Sequence, residues 1–131
     1  MVVGLHSARH FHRPFRALFT KNHNREEGFR LTSCGAFSFH SQVAGFKLVR
    51  IFPEQDTPYM YRTAASRTGR HAQGNFSAVD VENPDFDQFP EFRNATAHDV
   101  VLAPGDFVFI PAKCWHYVRS LTASISMNFW F

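Results

Sequence analysis

Eight histidines and two cysteines hold most of this chain's capacity for metal or acid–base chemistry. Imidazole and thiolate bind transition metals, and imidazole alone titrates near neutrality unperturbed. The most informative is His116, in "PAKCWHYVRSL" (111–121), between Trp115 and Tyr117 and just after a strand-like run. Among aromatics and by itself, an imidazole is a hydrogen-bonded core residue; with further donors it is a ligand. "HFH" at 10–12 has strand spacing and puts two imidazoles on one face, enough with His116 for a three-histidine site. Lying in a basic run, it reads first as a solvated extension. His98 and Asp99 are adjacent, so on a strand they point to opposite faces. Cys34 and Cys114 form no zinc spacing and no disulfide framework, the usage of a reducing compartment.

The elements that must position these groups are short strands. "AFSFHSQV" alternates Phe37 and Phe39 with small polar residues, and "FKLVRIF" (46–52) alternates around Lys47 and Arg50 and stops at Pro53. Residues 54–74 read as a long polar loop. "DVENPDFDQFPEFRNAT" reads as irregular, with one helical turn at most. "DVVLAPGDFVFIP", "CWHYVRSL" and "SISMNFWF" follow as three strands in close succession. "APGD" (103–106) carries Pro at the second and Gly at the third position, a type II turn signal. Short strands with turn punctuation and little helix imply an all-β sandwich or barrel.

Residues 1–28 differ from the rest. Phe11, Phe15, Leu18 and Phe19 repeat at helical spacing, with Pro14 suited to a first turn. The segment is a basic N-terminal extension, read as either a short amphipathic helix or a disordered tail. Its Arg-rich, Ser-containing, acid-poor composition also resembles a mitochondrial transit peptide. Five of the 14 basic residues lie within residues 1–25, where there is no acid, leaving 9 basic against 11 acidic residues beyond. The net charge of +3 therefore belongs to the head and predicts no nucleic-acid surface on the domain. With 44% hydrophobic residues and 16 Phe, the chain can build one real core, at 31–131. No apolar run reaches the roughly 18 residues of a membrane span, so no membrane association is expected.

"VDVENPDFDQFPEF" followed by "VVLAPGDFVFIPAKCWHYVRSLTASISMNFWF" resembles the C-terminal half of JmjC-domain oxygenases of the cupin type. "GFKLVRIFP" (45–53) resembles the middle strand of that family, and the nearest subgroup is that of lysine-specific demethylase 8 and the arginyl hydroxylases. The resemblance runs from about Gln42 to Phe131. It implies a double-stranded β-helix, here a partial jelly roll. It also implies Fe(II) held by two histidines and a carboxylate, with 2-oxoglutarate as cosubstrate. By resemblance His116 is the late metal ligand and Lys47 the cation that pairs with 2-oxoglutarate. Ser126 and Asn128 are polar residues of the last strand turned towards the cosubstrate. Simple alternation with Ile125, Met127 and Phe129 accounts for Ser126 and Asn128 equally well. Trp115, Phe129 and Trp130 read as core.

The chain departs from the family pattern at the early ligands. No histidine of the eight is followed two places on by Asp or Glu. With Lys47 in register, the family's His-x-Asp falls on Thr32-Ser33-Cys34, and its polar cosubstrate residue falls on Ser38. Three readings follow: an oxygenase-like domain of protein hydroxylase or demethylase ancestry, impaired at iron; a non-catalytic cupin-like interaction module; and a truncated product of such a gene. The implied partner is a protein, as substrate or ligand, in the nucleus or cytoplasm. Missing strands would also leave open sheet edges for self-association.

Overall fold

The computed structural model describes residues 16–20, 31–63 and 75–131. Among these, eight strands build two four-stranded antiparallel sheets. In chain order they are β1 (Arg16–Thr20), β2 (Thr32–Ser33), β3 (Ser38–Ala44), β4 (Lys47–Phe52), β5 (His98–Leu102), β6 (Phe107–Ile110), β7 (Trp115–Ser120) and β8 (Ser124–Trp130). One sheet has the order β1-β8-β3-β6, the other β2-β7-β4-β5. Two facing sheets of short strands are a jelly roll.

The helical spacing around residue 15 does not produce a helix at its C-terminal half. Arg16–Thr20 is a strand, paired with β8 from Arg16↔Asn128 to Thr20↔Ser124. Backbone pairing along the edge of β8 decides for the strand. Residues 1–15, with His10, His12, Phe11 and Phe15, lie outside the described residues. β1 and β2 both precede Gln42, so the sheets reach upstream of the segment on which the resemblance was read.

The strands read from alternation are present with a refinement. "DVVLAPGDFVFIP" is two strands, not one, and the turn between them sends β5 and β6 to opposite sheets. Gly105 has φ 94°, and Asp106 N–H donates to the Ala103 carbonyl at 3.0 Å, as a type II turn requires. The β3–β4 connection is tighter. Gly45 has φ 70°, and a Cβ there would collide with the carbonyl oxygen of Ala123.

The interior between the sheets has an apolar end, built on Val49, Leu102 and Ile110 with Ile51, Val108 and Val118 packed against them. A second core lies outside the β2-β7-β4-β5 sheet. Phe52, Trp115 and Tyr117 turn outward there against Met60, Val79, Val81 and Phe92 of the covering segments. Those segments contain two 3-10 helices, Glu54–Met60 and Pro90–Asn94, the second being the single turn read from sequence. Polar ties hold the cover down. Arg50 donates to both carboxylate oxygens of Asp99 at 2.7 Å and to the Val81 carbonyl at 2.8 Å. Trp115 Nε1 donates to Thr57 Oγ1 at 3.1 Å.

Candidate functional site

Alternation on β3 and β8 turns a polar face inward. Ser38, His40 and Gln42 are buried on β3, and Ser124, Ser126 and Asn128 on β8. In register, Gln42 pairs with Ser126 and His40 with Asn128. The opposite sheet contributes Lys47, buried at 4% exposure, and His116. The His40 and His116 rings meet edge to face across the gap, with centroids 6.3 Å apart. The interior thus has a polar end, facing sheet to sheet, beside the apolar end.

Electrostatics there follow from burial. His40 is pushed down to about 4, first by desolvation, then by the fields of His116 and Lys47. Desolvation also lowers His116, partly offset by the Cys114 carbonyl, whose oxygen lies 3.4 Å from Nδ1. Burial lowers Lys47 as well, and among the described residues no carboxylate pairs with it. Three inward polar atoms have no hydrogen-bond partner among the described residues: Ser38 Oγ, His40 Nε2 and Asn128 Oδ1. Each such atom costs about 1–3 kcal/mol until a partner meets it.

Of the residues singled out in the sequence, His116, Lys47, Ser126 and Asn128 are brought to this interior, and Ser38 joins them. Ser126 is occupied: its hydroxyl donates to Gln42 Oε1 at 2.7 Å. Phe129, read as core, is 36% exposed on the outer face of its sheet. His40 was passed over because Gln42, not an acid, follows it two places on. Its signal lay in the alternation itself, since Ser38, His40 and Gln42 share the face opposite Phe37 and Phe39.

Over residues 36–131 the chain matches the family model described as a cupin-like domain. It is 42% identical over 94 residues to lysine-specific demethylase 8 of Danio rerio, covering 72% of this chain and 22% of that protein. Human HSPB1-associated protein 1 is 42% identical over 90 residues, covering 68% of this chain and 18% of the relative. JmjC domain-containing protein F of Dictyostelium discoideum is 35% identical over 105 residues, with 72% and 22% covered.

The chain belongs to the cupin-like JmjC family. It spans about a fifth of the length of the curated relatives it matches. Among the described residues no helix is long and apolar enough to cross a membrane.

The family implies Fe(II) and 2-oxoglutarate, and the two fit this interior differently. Iron needs two imidazoles and a carboxylate on one face. Thr32, which the resemblance aligns with the first ligand, pairs directly with His116 across β2 and β7, and its hydroxyl donates to the Asn75 carbonyl at 3.0 Å. Cys34 follows the end of β2 and lines a cleft of about 340 Å³ with Ser33, Thr57, Asn75 and Trp115. Among the described residues no three His, Cys, Asp or Glu side chains come together. His40 adds a second imidazole but no carboxylate, and the Lys47 ammonium repels a cation. Among the described residues the donor set does not fit iron. The groups that would meet a small organic acid are present: Lys47 as a buried cation, with Ser38 Oγ and His40 Nε2 as polar contacts.

Proposed function

We propose that this is a non-catalytic JmjC-type domain that binds a small carboxylic acid of the 2-oxoglutarate class without turning it over. The supporting observation is that Thr32, which the resemblance aligns with the family's first iron ligand, pairs with His116 and spends its hydroxyl on the Asn75 carbonyl. Lys47 holds one carboxylate of the acid. Ser38 and His40 meet its remaining polar atoms, and the apolar end of the interior excludes water from its carbon chain. The ancestry is that of protein hydroxylases and demethylases. A protein partner, met in the nucleus or cytoplasm, belongs to the same reading.

Calorimetric titration of the metal-free chain with 2-oxoglutarate tests this. Binding is expected to raise the melting temperature by linkage and to be lost in Lys47→Met, which keeps the stem and removes the charge. With Fe(II), oxygen and 2-oxoglutarate, succinate release is expected to stay at the level of a protein-free control. Stoichiometric succinate release that depends on His116 would overturn the proposal.

A further inference from the structure

The outer face of the β1-β8-β3-β6 sheet is aromatic and, among the described residues, uncovered. Phe37, Phe107, Phe109, Phe129 and Phe131 are each 36–44% exposed, and Val43 is 48% exposed. The rings form two triads, which the Phe39↔Phe109 pairing sets side by side. Phe37 stacks on Phe109 and Phe131 with centroids 5.8 and 5.9 Å apart, and Phe39 lies 4.9 Å from Phe107 and 6.2 Å from Phe129. No outward position of β3, β6 or β8 carries a charged residue. The other sheet shows the contrast, because its outward aromatics are roofed by the two 3-10 helices and their flanks.

We propose that this face seats a second copy of the chain, two copies packing sheet against sheet about a two-fold axis. This goes beyond the acid-binding reading and stands independently of it. At roughly 200 Å² per aromatic side chain, the five rings and Val43 present about 500 Å². That is near the upper size of the largest patch on ordinary monomers. Two copies would bury about 1,000 Å² together, the threshold at which a specific interface begins. Stacked sheets pack about 10 Å apart through interdigitated side chains, so one pleated aromatic face can pack against a copy of itself. The absence of charge removes the like-charge repulsion that ordinarily opposes self-contact. It also gives a charged partner nothing to pair with.

Sedimentation velocity of the full 131-residue chain, from low to high micromolar, tests the proposal. The expected result is a closed dimer at high concentration. Phe109→Glu and Phe131→Glu should each weaken it at least tenfold, with cooperative melting retained because both side chains are exposed. A parent that stays monomeric throughout overturns the proposal and leaves the face to residues 1–15 or to an unrelated protein. Open-ended aggregates, or a dimer indifferent to both variants, overturn it in favour of edge pairing. Hydroxyl-radical footprinting of the parent decides the matter if the variants fail to fold. Oxidation of Phe37, Phe109 and Phe131 should fall with rising concentration, and constant oxidation would refute the interface.

Discussion

Lowering the pH from 7 to 5 should destabilise the parent chain by about 2 kcal/mol more than it destabilises His40→Leu. His40 titrates at about 4 in the folded chain and at 6.5 when unfolded. Above 6.5 both states hold a neutral ring, so His40 adds no pH dependence. Between 6.5 and 4 the unfolded state binds the proton and the folded state does not. Stability therefore falls as pH falls, by about 2 kcal/mol at pH 5 and about 3 kcal/mol at pH 4, where the effect levels off. His116 and Lys47 face His40 across the gap, and both remain in the variant, so the difference between the two proteins isolates one ring. Leucine fills a similar volume and removes the unpartnered Nε2, so the variant should be no less stable than the parent at pH 7. Urea unfolding at pH 7, 6 and 5, followed by tryptophan fluorescence and extrapolated linearly, gives the numbers. Parallel stability curves for parent and variant would refute the reasoning, because His40 would then be taking up its proton in the folded state.

Thr32→His combined with Cys34→Asp restores the missing pair opposite His116. Calorimetry with Mn(II) or Fe(II) should show metal binding in the double variant and not in the parent, with the gain lost on adding His116→Ala. The gain should exceed the sum of the single changes, since the ligands share one ion. Gly45→Ala forces a Cβ into the Ala123 carbonyl at positive φ. It should cost at least about 2 kcal/mol in thermal or urea unfolding, while Gly105→Ala, with open space around it, should cost less.

The second half of the chain was readable because its chemistry is local. Pro104-Gly105 dictates a turn, Pro53 ends β4, and the strands between alternate cleanly. The strings around His116 and Lys47 singled them out, and the structure brings both to the interior. β1 was not, because Leu18 and Phe19 fit a helical stripe, and only the free edge of β8 selects the strand. His40 was illegible as a site residue because a search for His-x-acid discards it. What places it is the pairing of β3 with β8 and the approach of β7 from the other sheet, neither of which is a property of neighbouring residues. Alternation shows that Phe37 and Phe39 share a face, but not which face is inside. Here the polar one is, since the opposite sheet brings Lys47 and His116 to meet it.

Phe37-Ser38-Phe39, Phe107-Val108-Phe109 and Phe129-Trp130-Phe131 put the same Phe-x-Phe pattern on three adjacent strands. A slip of one residue would expose the buried set and is refused on that ground. A slip of two would leave every phenylalanine outside, so the aromatic face cannot tell the native alignment from its neighbours. The distinction is made in part on the reverse side. Gln42 donates to the carbonyls of Ala44 and Gly45 at 2.6 and 3.0 Å and accepts from Ser126 at 2.7 Å. A two-residue shift would only set Gln42 opposite Ser124 or Asn128, so the amide does not choose alone; Phe46 N–H donates to Thr122 Oγ1 and Leu121 N–H to the Phe46 carbonyl, both at 2.9 Å, and these bonds tie the β3–β4 turn to the β7–β8 turn. The outer surface accepts three interchangeable strands, and the joined turns at one end fix how they align.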